Sequence, residues 1–152
     1  MSRDAAPARP KPVLFDEDAI ARAEAKLRDL SVEFDVWMAE EIDKLHHARL
    51  AAREAGWSDA ALDALFAAAH DAKGLGATYD YPLVTEIAGS LCRMIETPEA
   101  RLIARRRLPL IDAHVESMRA AVRDRVKTCD HPIGQALLRE LRRHVEALGL
   151  GA

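Results

Sequence analysis

From residue 16 onward apolar positions recur every three or four residues along nearly the whole chain, and no segment alternates with period two. That spacing predicts amphipathic helices. The first stripe holds Ile20, Leu27 and Leu30, and continues through Phe34, Trp37/Met38, Ile42, Leu45, Ala48 and Ala52 to a stop at Gly56. At Ser31 the helix either restarts or continues. Ser58 is an N-cap for the next helix, with Asp59 in its first turn and Leu62, Leu65, Ala69, Ala72 and Gly76 on one face. This helix is expected to run to about Ala77. Pro82 suits the first turn of a third helix, with Leu83, Ile87, Leu91 and Ile95 inward. Thr97-Pro98-Glu99 repeats the cap-and-proline signal, and Pro109 breaks whatever that signal begins. A main helix is expected over 108–127, with Ile111, Val115, Met118 and Val122 inward, and a last one over 132–148, stopped by Gly149. Such helices pack most simply as an antiparallel bundle, so the expected fold class is all-α.

Composition agrees. Aromatic residues are only 5% of the chain, and alanine and leucine dominate the apolar set, which disfavours sheet. Residues 1–13 carry three prolines and read as a disordered leader, leaving 14–149 as a single domain. With 22 basic against 25 acidic residues there is no basic field for a nucleic acid. Cys92 and Cys129 form no CxxC pair, which argues against a disulfide or zinc framework. The leader lacks a signal peptide's apolar core, and no apolar run approaches the roughly 18 residues of a membrane span. A cytoplasmic protein without membrane contact is expected.

The second helix carries the most informative stretch, Ala67-Ala68-Ala69-His70-Asp71-Ala72-Lys73-Gly74-Leu75-Gly76-Ala77. A glycine inside a helix costs about 1 kcal/mol against alanine, and two of them beside a histidine and a lysine suggest a surface that something must approach closely. At about 100° per residue, His70 lies roughly 120° from the centre of the apolar stripe. Asp63, Ala67, Gly74 and Ala77 cluster within about 60° of it on the outer side, flanked by Phe66 and Lys73. Imidazole is a good nucleophile that is largely neutral near pH 7. Phosphoryl transfer needs in-line approach and cations around the moving oxygens. A mid-helix histidine has no free backbone N–H groups nearby to hold a phosphate. Lys73 would supply the charge instead.

His70-Asp71-Ala72-Lys73-Gly74 resembles the H-x-x-K-G signature of histidine-containing phosphotransfer (HPt) domains of multistep phosphorelays. The similarity runs on through Leu75-Gly76-Ala77, Leu83, Ile87-Ala88, Leu91-Cys92 and Glu96, and covers about 30–128. It implies an antiparallel four-helix bundle, here with additional N-terminal and C-terminal helices. It also implies that His70 accepts the phosphoryl group, that Lys73 stabilises it, and that Gly74 admits a receiver domain. The implied partners are the receiver domain of a hybrid histidine kinase and a response regulator, which would bring the magnesium ion; this chain would need no cofactor and would be a monomer. Leu75 stands where many members carry a small or polar residue, and its place on the wheel reads as packing. Histidine kinases also phosphorylate a histidine on a helical bundle, but the 82 residues after His70 contain none of their ATP-binding boxes. The chain is therefore expected to carry phosphoryl groups between partners without being an enzyme itself. The rival expectation is an adaptor bundle that binds a signalling partner without chemistry.

Other clusters read as structural. Asp43-Lys44-Leu45-His46 is a single acidic-x-x-His element without a facing partner, so no metal site is expected. His46 and His47 read as solvated, Cys129-Asp130-His131 as a loop before a helix, and Trp37 and Trp57 as packing. His114 reads as a satisfied boundary residue. Arg101, Arg105, Arg106 and Arg107 read as a solvated face, with a docking patch for an acidic surface as the alternative.

Overall fold

The computed structural model describes residues 16–151, so the leader expected over 1–13 lies outside the described residues. Those residues form six helices and no strand: α1 (Glu17–Glu54), α2 (Asp59–Thr78), α3 (Pro82–Ile95), α4 (Pro98–Ala104), α5 (Leu108–Arg123) and α6 (Pro132–Ala147). Their starts follow local chemistry. Asp16, Ser58 and Thr97 each accept a hydrogen bond from the backbone N–H three residues on, and α3 to α6 each carry proline in the first turn. None of the described helices is long and apolar enough to cross a membrane.

Among the described residues the expected N-terminal helix is not separate from the next. Residues 17–54 contain neither glycine nor proline, so nothing breaks the chain at Ser31 and α1 runs for 38 residues. Its first half has almost nothing beneath it, and Ile20, Leu27 and Leu30 stay exposed although they extend the apolar stripe. The buried stripe begins at Met38 and continues through Ile42, Leu45 and Ala52.

Helix α1 packs on α2 and α5, α2 also packs on α3, and α3 packs on α5, closing a cycle around the core. Helices α4 and α6 cover α3 and α5 from outside. The inward positions expected for α2, α3 and α5 are all buried. Helix α5 stops at Arg123, short of the expected 127, because Arg125 takes φ +55° and turns Val126 back into the core. Lys127 then reaches Asp35 at 2.9 Å while lying 5.1 Å over the Tyr81 ring, whose hydroxyl donates to Asp35 at 2.6 Å. Burial alone would raise the Asp35 carboxyl, but the hydrogen bonds from Tyr81 and Lys127 hold it below the usual range.

Two histidines differ from expectation. His46 is half-buried, 2.6 Å from the guanidinium of Arg49, which is itself buried and paired with Asp112 and Glu116. His114 lies in the core rather than at its boundary. Its Nδ1–H donates to the Leu110 carbonyl at 2.7 Å, so Nε2 accepts from the Ser90 hydroxyl at 2.9 Å. Burial pushes its pKa down to about 4, against a lesser upward pull from the Leu110 carbonyl.

A folded-state value of about 4 below an unfolded value near 6.5 means that the unfolded chain takes up the proton first as pH falls. The stability that neutral His114 contributes is complete above about pH 6.5, is lost between there and about pH 4, and changes no further below. The loss amounts to roughly 3 kcal/mol. Chemical denaturation across this pH range should show a shallower slope for His114→Gln than for the wild type; equal slopes would mean that His114 is protonated in the folded core.

Candidate functional site on the outer face of α2

Helix α2 turns Leu62, Leu65, Ala69, Ala72 and Gly76 inward, and this fixes the opposite face. On that face Asp63, Ala67, His70, Lys73, Gly74 and Ala77 are all exposed, while Phe66 is half-buried at its edge. The Phe66 and His70 rings lie with centroids 6.0 Å apart and planes 31° apart, an i,i+4 pair that limits where the imidazole can swing. Leu75 is half-buried against the core, as its wheel position predicts.

The two glycines differ. A Cβ at Gly74 would meet nothing within 4 Å, so its bare backbone faces open space. A Cβ at Gly76 would fall 2.5 Å from the Thr85 hydroxyl and 2.9 Å from the Thr85 backbone nitrogen. What approaches Gly76 is therefore α3 of the same chain, and only Gly74 remains as clearance for an outside partner. The Thr85 hydroxyl donates to the Lys73 carbonyl at 2.8 Å, and the Thr78 hydroxyl to the Gly74 carbonyl at 3.4 Å. These bonds brace a turn that two glycines would otherwise loosen.

Lys73 leans toward α3. The nearest heavy atoms to a Cβ placed at Gly89 are Lys73 Cε at 3.8 Å and Cδ at 3.9 Å, with nothing else within 4 Å. Gly89 leaves a shelf along which the lysine stem lies. The ammonium comes close enough to pull the Cys92 thiol downward, although burial dominates and lifts that thiol to about 11. Among the described residues Lys73 has no ion-pair partner and His70 no hydrogen-bond partner. The pair thus presents an uncommitted ring nitrogen and an uncommitted cation one turn apart on a flat surface. Thr85 and Gly89 are absent from the residues singled out by sequence; a mid-helix glycine in α3 is visible there, but its register against Lys73 is not.

Asp63 is exposed yet engaged, 2.7 Å from Arg101 of α4. Arg101 also donates to the Ile95 carbonyl, while Arg105 bonds the Trp57 carbonyl and pairs with Asp59 at 2.6 Å. These two arginines staple α4 to the start of α2, which corrects their reading as a solvated face; Arg106 and Arg107 remain exposed. No protein-family model, no curated protein and no solved structure matches the chain. The chemistry open to this surface therefore follows from its own residues.

The glycines separate in a thermal-melt comparison. Gly74→Ala should stabilise by up to about 1 kcal/mol, since the added methyl meets only solvent. Gly76→Ala should destabilise by roughly 1–3 kcal/mol, because backbone rather than a flexible side chain must move. Shifts of the same sign at both positions would contradict this assignment.

Proposed function

We propose that the chain is a histidine phosphotransfer protein, in which α1, α2, α3 and α5 form the four-helix bundle of an HPt domain and His70 carries the phosphoryl group. The observation that carries this reading is the conjunction of an exposed His70, an unpaired Lys73 ammonium and the open backbone of Gly74 on one face of α2. A structural helix face would have little use for that conjunction. The donor is the aspartyl phosphate of a receiver domain, which brings its own magnesium ion. The imidazole lone pair forms the P–N bond as the aspartyl P–O bond breaks, and the electron pair of that bond leaves on the carboxylate. Lys73 offsets negative charge on the phosphoryl oxygens. The reverse step passes the group to a second receiver aspartate, that of a response regulator, in the cytoplasm. With the chemistry in the partner, the chain is a carrier and not an enzyme.

The surface supports a protein partner rather than a small molecule. Ala67, Gly74 and Ala77 give it low relief, and the half-buried Phe66 is its one large apolar side chain. Asp63, held by Arg101, borders it. A non-catalytic adaptor would use the same face without needing the imidazole, so substitution at His70 separates the two.

Incubation with a phosphorylated receiver should transfer label to the wild type, labile in acid, and none to His70→Gln; equal labelling of both would remove His70 from the role. Lys73→Ala should slow transfer or shorten the phosphohistidine lifetime while the melting temperature barely moves. Gly89→Leu, which fills the shelf under the lysine stem, should reproduce part of that defect, whereas Gly89→Ala should not. Gly74→Gln should lose receiver binding and transfer yet keep His70 reactive toward phosphoramidate. Unchanged receiver affinity in that variant would place the docking surface elsewhere.

A further inference from the structure

At one place α1 and α5 are joined by charge. Arg49 of α1, its side chain only 5% exposed, donates to Asp112 at 3.3 Å through one terminal nitrogen and to Glu116 at 2.6 Å through the other. Arg53 adds a second contact to Asp112 at 3.1 Å, and Arg119 pairs with Glu116 at 3.0 Å. The nitrogen that meets Glu116 also lies 2.6 Å from Nδ1 of His46. A guanidinium has only donors, so Nδ1 accepts here and the imidazole is neutral, with its proton on Nε2. The Nε–H of Arg49 is buried as well and has no partner among the described residues. A neutral histidine thus completes a buried cation that is already one hydrogen bond short.

We propose that His46 is a proton-operated latch on the seam between α1 and α5: neutral, it seats Arg49 between the two helices, and protonated, it expels the guanidinium from that seat and loosens the seam. The proton arrives at Nδ1, on the lone pair that Arg49 uses, so the imidazolium and this hydrogen bond exclude each other. The surroundings sharpen the exclusion. Three arginines face two carboxylates, so the cluster is already positive before His46 gains a charge. Burial foremost, then Arg119 and Arg49, hold the His46 pKa below its ordinary value; Glu116 pulls the other way, and the exposed His47, its ring 5.9 Å off, lowers it slightly. Asp43, one turn back along α1, is exposed and pairs with none of these arginines. Helix α2 packs on the other flank of α1, where its Asp71 acts on Lys44, about 160° around from His46. Burial raises the Glu116 carboxyl, but hydrogen bonds from Arg49 and Arg119 hold it below the usual range, so it stays charged while His46 titrates. The seam beside the cluster is open: Ile42, Asp43, Glu116 and Arg119 line a groove of about 700 Å³ between the helices, and packing there does not replace the polar contacts. Since the folded His46 value lies below the unfolded value of about 6.5, the unfolded chain takes the proton first. The latch is closed above about pH 6.5 and opens as pH falls through the lower folded value.

Nitrogen-edited NMR on the full chain, titrated from about pH 8 to about pH 5, tests this through the His46 ring and the Arg49 Nε–H. His46 should titrate at lower pH than the exposed His47, and the Arg49 signal should shift or broaden with the His46 midpoint. His46→Gln offers Arg49 an amide oxygen but takes no proton, so its Arg49 signal should stay constant across the range. His46→Lys carries a permanent cation and should show the loosened signal at neutral pH; should it fail to fold, His46→Gln still decides the matter. Amide exchange over residues 46–53, corrected for its intrinsic pH dependence, should rise about tenfold on acidification relative to His46→Gln. His114 is present in both proteins, so the comparison isolates His46. Titration of His46 together with His47, an Arg49 signal indifferent to it, or the same acid response in His46→Gln overturns the inference.

Discussion

The close approach of α2 and α3 at Gly76 is the contact on which the candidate site depends. With no side chain at that position, the α3 backbone at Thr85 comes to within van der Waals distance of α2. That depth is what allows the Thr85 hydroxyl to reach the Lys73 carbonyl, and what brings Gly89 beneath the Lys73 stem. At the same end, the turn through Asp80 in the left-handed region, φ +62°, drops Tyr81 into the core against Asp35 and Lys127. One small residue on the inner face therefore fixes where a cation sits on the outer face. The cost of glycine within a helix, about 1 kcal/mol, is offset by the packing it admits.

Polar contacts then hold this core in register against its neighbours. Arg49 ties α1 to Asp112 and Glu116 of α5, and Asp35 ties α1 to the start of α3 and the segment after α5. Arg101 and Arg105 tie α4 to α2. None of these side chains lies among the exposed, uncommitted groups around His70. The fold keeps its structural charges in pairs and leaves Lys73 out of them, so its ammonium can respond to an incoming anion without first breaking an ion pair.

Helix positions and inward faces were legible in the sequence because caps, prolines and three-four spacing act locally, over a turn or two. The outer placement of His70, Ala67, Gly74 and Ala77 followed from the same periodicity. Features that depend on how one helix registers against another were not legible. Periodicity set Gly76 on the inner face and Gly74 on the outer, but it does not show that the α3 backbone at Thr85 is what presses against Gly76. Arg101 and Arg105 looked like a solvated cluster because their acceptors, the Ile95 and Trp57 carbonyls, are backbone groups that composition does not reveal. Arg49 and His114 broke the pattern for the same reason: a polar residue at a core position is readable only once its partners are placed. Ile20, Leu27 and Leu30 erred in the other direction, since periodicity predicts a face but not whether anything covers it.

Low relief around His70 also bears on how a carrier could serve two partners in turn. Affinity between proteins concentrates in a few large anchors seated in pockets, and the small residues around His70 offer none beyond the edge of Phe66. A partner docking there would gain modest contact area, in the range of transient complexes, and would leave quickly. Rapid exchange is what a shuttle requires, because a tight complex with the donor would exclude the acceptor. Under the proposed function, the alanines and Gly74 therefore act twice, giving access to the imidazole and keeping the complex short-lived.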